Sequence, residues 1–236
     1  MEYVKAKKYD ALMHLMMGPN PVKLCEELLK DCRIPAGASV CDLGSGQGLT
    51  SVFIAREYGY RVYACDLWSE PQEHLPFFES MGLTGEQITP VKADAEYMPF
   101  EKDFFDAVVS IDSYHYFGRD PHFLDEKLLP FVRSGGYLYI AIPGMKRDLH
   151  ENLPDELLLS WTAEDLETMH DAAYWRAMVG QSRDAEVISV REMESMDEVW
   201  EDWLAQENPY AVGDRKSMRA GAGRYLNFIA IVLRKK

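Results

Sequence analysis

Residues 39–50 read SVCDLGSGQGLT, a short apolar run that ends in an acid and is followed by three alternating glycines. Glycine tolerates backbone angles and close approaches that a Cβ would forbid, so the stretch predicts a strand that turns into a helix around a ligand. A dinucleotide site would need the spacing G-x-G-x-x-G, whereas the spacing here is G-x-G-x-G. Asp42, directly before the turn, would repel a pyrophosphate and attract a cation. The pattern therefore favours a zwitterionic ligand with a positive centre.

The same stretch resembles the first motif, V-L-D-x-G-x-G-x-G, of the class I S-adenosylmethionine-dependent methyltransferases of the type that acts on small molecules. The resemblance implies that S-adenosylmethionine is the cofactor and S-adenosylhomocysteine the product. It also implies that Asp42, Gly44, Ser45 and Gly46 bind the methionine end of the cofactor. An ordinary strand, turn and helix with glycines for packing is the alternative.

The composition is ordinary for a globular chain of 236 residues, with 47% hydrophobic and 27% charged residues. The net charge of -14 argues against a nucleic-acid partner, because such binding depends on lysine and arginine. No apolar run approaches the roughly 20 residues that span a bilayer, and we find no secretory signal. The four cysteines form no C-x-x-C pair. We therefore expect a cytoplasmic protein with reduced cysteines and no membrane partner, while the oligomeric state stays open.

Strand-like and helix-like segments alternate along the chain, which is typical of a parallel sheet covered on both faces. The predicted strands are 39–43, 61–65, 88–92, 105–111 and 137–142, and the predicted helices are 48–57, 71–81 and 121–131. Two later strand-like segments, 186–191 and 225–234, resemble the antiparallel ending of the methyltransferase sheet. We expect an α/β fold with a doubly wound, Rossmann-like, mostly parallel seven-stranded sheet, an antiparallel C-terminal strand and an N-terminal helical arm.

Residues 1–236 are expected to form a single methyltransferase domain with three parts. Residues 1–38 form the helical arm, which the resemblance implies is a lid over the cofactor, and residues 39–143 form the cofactor-binding core. Residues 144–236 hold an insertion that shapes the acceptor pocket and the C-terminal strands.

Two further strands end in acids. Asp66 follows a buried strand, where a carboxylate can accept both hydroxyl protons of a ribose, and Leu67 and Trp68 are candidates to cover the adenine. Asp94 and Ala95 lie in a segment similar to the family motif G-D-A-x-x-L-P-F, which implies that they bind the adenine ring. A helix N-cap at Asp94 is the alternative.

The segment 105–117, FDAVVSIDSYHYF, is similar to the fourth family motif, in which a histidine follows a serine by five residues. The resemblance implies that Ile111 and Asp112 border the methionine moiety, and that Tyr114, His115 and the next tyrosine face the substrate. His115 is a candidate general base with Tyr114 beside it, because the unperturbed imidazole pKa lies close to the working pH. Orientation or packing is an equal alternative for this histidine.

We therefore expect methyl transfer from S-adenosylmethionine to a small-molecule acceptor with a nitrogen or oxygen nucleophile, of which an amine is one candidate. A protein side-chain methyltransferase, a noncatalytic S-adenosylmethionine-binding protein and a nicotinamide oxidoreductase are the alternatives. The six histidines show no H-E-x-x-H motif and no cluster with cysteine, so no metal is expected.

Overall fold

The described residues, 2–236 of this computed structural model, form one seven-stranded sheet in the order β3-β2-β1-β4-β5-β7-β6. The strands are β1 (Ser39–Leu43), β2 (Arg61–Asp66), β3 (Ile88–Lys92), β4 (Phe105–Ile111), β5 (Val132–Met145), β6 (Ala185–Glu192) and β7 (Leu226–Lys235). Strands β1 to β5 pair in parallel, whereas β7 is antiparallel to both of its neighbours. The predicted α/β sheet with its antiparallel C-terminal strand is confirmed.

Helices connect the strands, and the helices predicted at 48–57 and 71–81 are found as α2 and α3. The α-helices are α1 (Pro21–Leu28), α2 (Leu49–Tyr58), α3 (Pro71–Ser80), α4 (Ala163–Leu166), α5 (Ala172–Val179), α6 (Met196–Leu204) and α7 (Pro209–Arg219). The single helix predicted at 121–131 is wrong, because the chain there forms a π-turn (Leu124–Leu128) and a 3-10 turn (Leu129–Phe131). Pro130 has no N–H to donate and its ring crowds the preceding turn, which prevents a continuous α-helix.

Strand β1 occupies the centre of the sheet, and all five of its residues are buried. Val40 pairs with Val62 on one side and with Ala107 on the other. Helices cover both faces of a parallel sheet, so its strands are apolar on both sides. Val40 and Cys41 accordingly point into two different apolar cores, one on each face.

The N-terminal arm contains a 3-10 helix (Ala6–Leu15), which the buried Glu26 and the half-buried Glu57 attach to the domain. Glu26 accepts the backbone N–H groups of Lys5 and Ala6, at 3.1 and 2.7 Å. Tyr9 donates its hydroxyl to Glu57 at the end of α2, at 3.1 Å. The arm is therefore anchored at its start, and its last residues run across the carboxyl edge of the sheet.

A second buried acid joins α1 to the link between β6 and α6. Glu27, only 4% exposed, accepts a hydrogen bond from the Arg191 guanidinium at 2.6 Å and from the amides of Glu194 and Ser195 at 3.1 and 2.9 Å. These bonds to a carboxylate fix the helix that follows the arm.

The order of the strands reverses between β1 and β4, which lie side by side although β2 and β3 separate them in the chain. Open α/β sheets bind their ligands at such a switch point, outside the carboxyl ends of the strands. Within residues 2–236 no helix has both the length and the apolar character needed to cross a membrane.

Candidate active site

The glycine turn after β1 has the backbone that only glycine adopts easily. Gly44, Gly46 and Gly48 have φ angles of +81°, +51° and +81°, in the left-handed region. The amides of Gly44 and Ser45 donate to the Cys65 carbonyl oxygen at 2.8 and 3.1 Å, which ties the turn to the end of β2. A Cβ on Gly44 would overlap the side chain of Ser113, the second residue after β4. The turn is therefore packed tightly between β2 and β4.

Asp66 holds the same turn from the end of β2. Its Oδ2 accepts the Gly46 amide at 2.9 Å, and its Oδ1 accepts the amides of Trp68 and Ser69 at 2.9 and 3.1 Å. A carboxylate oxygen has more than one acceptor position, so Asp66 keeps capacity for a ligand hydroxyl. The carboxylate thus fixes the loop and faces the space beyond it.

A cavity of about 670 Å³ lies beyond this turn, at the carboxyl edge of the sheet. Its volume is in the range usual for small-molecule sites. The lining residues come from the end of the arm, the start of α1 and α2, and the segments after β1 to β4: Leu15, Met17, Gly18, Pro19, Pro21, Leu43, Gly44, Ser45, Gly46, Gln47, Leu49, Thr50, Cys65, Asp66, Leu67, Trp68, Ala93, Asp94, Ala95, Glu96, Ile111, Asp112, Ser113, Tyr116 and Phe117.

Most residues assigned to the cofactor from the sequence line this cavity. They are Gly44, Ser45, Gly46, Asp66, Leu67, Trp68, Asp94, Ala95, Ile111 and Asp112. Met17 and Gly18 of the arm also line it, and a Cβ on Gly46 would come within 2.9 Å of Met17 Sδ. The end of the arm therefore lies directly against the glycine turn.

Asp42, in contrast, lies beneath the turn and does not line the cavity. It is fully buried, and its Oδ2 accepts the hydroxyls of Thr50 and Ser51 at 2.6 and 2.5 Å, while Oδ1 has no partner. Burial raises the pKa of Asp42 to about 6, although the two hydroxyls lower it. Instead of presenting a charge to the cavity, this acid packs against the first turn of α2.

Tyr114 and His115 do not line the cavity either. Both are buried in a short 3-10 turn (Tyr114–Tyr116), where the Tyr114 ring packs on Trp175 at a centroid distance of 6.0 Å. Burial and the nearby Arg119 lower the pKa of His115 to about 3, and its Nδ1 has no partner. An imidazole with so low a pKa is a weak base. The geometry therefore gives the catalytic assignment of these two residues no support.

Asp112, one of the titratable groups that line the cavity, follows β4 directly. It has a φ of +56°, in the left-handed region that is strained for a non-glycine residue, and its amide donates to the Ala141 oxygen at 2.7 Å. Burial, and after it the Asp214 carboxylate, raise the pKa of Asp112 to about 7. A Cβ on Gly18 would overlap Asp112 Oδ2, so the arm approaches this carboxylate closely.

The sequence did not single out Ser113 and Phe117 as lining residues. The Ser113 hydroxyl donates to the Leu43 carbonyl oxygen at 2.8 Å and lies 2.7 Å from the Ser110 hydroxyl. These contacts join the ends of β1 and β4, which no local sequence pattern reveals. Ser113 is thus both a wall of the cavity and a link between the two strands.

Residues 41–140 match the protein-family model described as "Methyltransferase domain". A curated relative, "Probable phthiotriol/phenolphthiotriol dimycocerosates methyltransferase 2" of Mycobacterium ulcerans (strain Agy99), is 30% identical over 113 residues, which are 45% of this chain and 40% of that protein. The chain thus spans well under half the length of this relative. Residues 41–140 are thus similar to a methyltransferase domain, and S-adenosylmethionine is bound in solved methyltransferase structures that share the fold.

Solved structures share the fold at low identity. Phosphoethanolamine N-methyltransferase 2 of Haemonchus contortus, bound to S-adenosylmethionine, has a TM-score of 0.76 at 17% identity and covers 99% of this chain and 57% of its own. Geranyl diphosphate C-methyltransferase of Streptomyces coelicolor A3(2) has a TM-score of 0.69 at 15% identity, with coverages of 91% and 78%. The [4+2]-cyclase SpnF has a TM-score of 0.69 at 14% identity, with coverages of 98% and 94%. The fold is therefore shared by proteins described by different reactions.

Proposed function

We propose that this chain transfers the methyl group of S-adenosylmethionine to a small molecule that carries a nitrogen or oxygen nucleophile. The observation that carries the proposal is the cavity of about 670 Å³ at the switch point, which is large enough for a small molecule beside the cofactor. Asp66, Asp94 and Asp112, from the ends of β2, β3 and β4, line it. These carboxylates are matched to hydroxyls and amines rather than to phosphates.

The cofactor fits the residues along one side of this cavity. Gly44 and Gly46 line the cavity with positive φ angles and no side chain, so the backbone of the turn can approach the methionine end closely. Asp66 would accept the ribose hydroxyls. The Oδ1 of Asp94 accepts the Glu96 amide at 2.9 Å, which orients the carboxylate. Asp94 would accept from the adenine amino group, and the Ala95 amide would donate to the ring.

Asp112 marks the acceptor end in this proposal. Its pKa of about 7 means that, near neutral pH, Asp112 can accept a proton from an ammonium group, or bind that ammonium group as a carboxylate. The His115 ring packs on Tyr116, with centroids 4.0 Å apart, and Tyr116 lines the cavity. We assign His115 the role of holding Tyr116 at the rim, and Tyr114 the role of anchoring that turn in the core.

The chemistry demands alignment more than bond activation, since the bound sulfonium supplies an already activated methyl group. The residues of the cavity would bring the acceptor into line with the donor, and the arm residues Met17 to Pro19 would exclude water from above. Proximity and orientation of this kind supply a large share of an enzyme's rate enhancement.

The proposal includes a cytoplasmic location and no nucleic-acid partner. All four cysteines are free, with Cys25, Cys41 and Cys65 buried, as is usual in a reducing compartment. The net charge of -14 disfavours contact with phosphate backbones.

Binding is tested first, by calorimetry of the purified chain with S-adenosylhomocysteine and separately with NAD. We expect S-adenosylhomocysteine to bind and NAD not to bind. The reverse result would refute the cofactor assignment. Asp66→Ala should weaken S-adenosylhomocysteine binding, whereas the exposed Asp155→Asn, outside the cavity, should leave it unchanged.

Turnover is tested next, by measuring S-adenosylhomocysteine release with a panel of small amines, hydroxy compounds and phosphoethanolamine. For an amine acceptor we expect the rate to rise with pH through about 7, as Asp112 loses its proton. Asp112→Asn should lower kcat by about 100-fold or more while cofactor binding persists. Cofactor binding without turnover on any acceptor, a peptide mixture included, would identify a noncatalytic binding protein. Turnover on peptides alone would point to a protein substrate.

A further inference from the structure

The fold brings together three potential metal ligands that the sequence keeps apart. Asp148 and His150 lie in the loop after β5, and His170 lies 20 positions beyond His150, just before α5. Each of these side chains offers one ligand atom, and the three atoms lie within 4.8 Å of one another. None of the three residues lines the candidate active site.

The hydrogen bonds of His150 show that a positive charge belongs between it and Asp148. Its Nε2 lies 3.0 Å from the Leu166 carbonyl oxygen, which only accepts, so Nε2 carries the proton. In a neutral imidazole, Nδ1 then holds a lone pair, and this atom lies 2.6 Å from Asp148 Oδ1. A lone pair facing a carboxylate oxygen at this distance is repulsive, so Nδ1 also carries a proton here and His150 is the cationic partner of Asp148. A metal ion bound at about 2.0–2.2 Å to both atoms would replace this proton and move the two atoms to about 3 Å apart or more.

The same bonds match the pattern of a metal-binding histidine. Such a residue coordinates through one nitrogen and donates the N–H of the other to a carbonyl or carboxylate, which fixes its tautomer. Here the Leu166 carbonyl plays that part for His150. Asp148 Oδ1 also accepts the His150 amide at 3.0 Å, so the carboxylate is held in place by the backbone.

The environment of His170 favours a bound metal ion over a site that holds only a protonated His150. The Nδ1 of His170 is buried and has no hydrogen-bond partner, a state that costs free energy. Its ring is stacked on Tyr174, with centroids 3.5 Å apart and planes at 13°, and lies 4.8 Å from the His150 ring. A protonated His150 paired with Asp148 does not require His170 beside it. A metal ion does, because the unpartnered nitrogen of His170 would be its third protein ligand.

We propose that Asp148, His150 and His170 bind one divalent transition-metal ion of the zinc class. Two imidazole nitrogens and one carboxylate oxygen suit zinc and its neighbours, whereas magnesium prefers oxygen ligands alone. Asp148 is partly exposed, so water completes the coordination from the solvent side. The ion fastens the loop after β5 to the segment before α5, at the same edge of the sheet as the cavity.

The backbone around the three residues is already fixed, which favours a preformed site. The Met145 amide donates to the His170 carbonyl oxygen at 3.3 Å, and the Asp148 amide donates to Asp171 Oδ2 at 3.2 Å. Small rotations of three side chains therefore suffice to close the ligands around an ion.

The test titrates the chelator-treated chain with ZnCl₂, and in parallel with MgCl₂, by calorimetry, and follows the melting temperature in each case. We expect one zinc ion per chain, a higher melting temperature with zinc, and no effect of magnesium. Absence of zinc binding by the wild-type chain would overturn the proposal and leave a protonated His150 paired with Asp148.

His170→Phe keeps the ring on Tyr174 but removes the nitrogen, so it should weaken zinc binding by at least about 10-fold. His150→Gln is the second variant if the first does not fold, as judged by circular dichroism. His122→Ala is the matched control, because His122 lies 3.8 Å from the Glu126 carboxylate on an exposed turn without a second histidine. Zinc binding that survives both ligand substitutions, or that His122→Ala abolishes, would refute the site.

Discussion

Gly44→Ala tests the packing of the glycine turn directly. The substitution forces an alanine into a φ of +81° and places a methyl group on the Cβ and Oγ of Ser113. Both effects act on folding stability, and the second also moves the wall of the cavity. We therefore expect lower stability together with weaker binding of S-adenosylhomocysteine.

The magnitude follows from two contributions. The left-handed conformation costs about 1–2 kcal/mol for a residue with a Cβ. Displacing Ser113 breaks its hydrogen bonds to the Leu43 oxygen and to Ser110, at 2.8 and 2.7 Å, which contribute about 1 kcal/mol each. We expect Gly44→Ala to lower the free energy of unfolding by about 3–4 kcal/mol, measured by urea denaturation at 25 °C.

Gly82→Ala provides the matched control. Gly82 has a φ of +73°, and no atom lies within 4 Å of the added Cβ, so only the backbone contribution of about 1–2 kcal/mol remains. Ser113→Gly closes a double-mutant cycle, because the bonds of Ser113 can be lost only once. The Gly44→Ala/Ser113→Gly variant should therefore be more stable than the sum of the single changes predicts. Equal losses for Gly44→Ala and Gly82→Ala, or an additive cycle, would refute the packing argument.

Three other predictions concern buried acids and the rim of the cavity. The folded-state pKa of Asp42, about 6, exceeds the reference value of 3.8, so folding favours the protonated acid. The free energy of unfolding should therefore be highest below pH 4 and should fall by about 3 kcal/mol as the pH rises to 6. Asp42→Asn should remove this slope from urea titrations at stepped pH. Glu27→Gln should lower the free energy of unfolding at pH 7 by about 2 kcal/mol, because its Arg191 bond loses charge assistance; an unchanged urea midpoint would contradict this. Trp68→Ala should weaken S-adenosylhomocysteine binding about 5-fold without changing the melting temperature. The control Tyr210→Ala, at a similarly exposed aromatic residue outside the cavity, should change neither.

The parts of the site that follow from strand ends could be predicted from the sequence. Asp66 ends β2, and Asp94 and Asp112 come shortly after β3 and β4. The carboxyl ends of parallel strands meet at one edge of the sheet, so these acids were expected to lie close together. The glycine spacing likewise predicted the turn, because positions with a positive φ angle are usually occupied by glycine.

The orientation of single side chains could not be predicted in the same way. Asp42 lies inside β1, where the hydroxyls of α2 compete for its carboxylate, and the sequence does not say on which side it lies. His115 sits in a single 3-10 turn, whose direction depends on packing against distant rings such as Trp175. Asp148 and His170 meet only because two loops converge, a contact without any local periodicity.

The cavity draws its lining from residues 15–21 and 43–117 alone, within the part of the chain that the structure describes. Substitutions in residues 118–236 therefore reach the cavity only indirectly, through packing or through charge such as that of Asp214. Asp112 and Tyr116, which the proposal places at the acceptor end and the rim, lie in the same segment as the glycine turn. Selection for a new acceptor would therefore act on residues close to those that hold the donor.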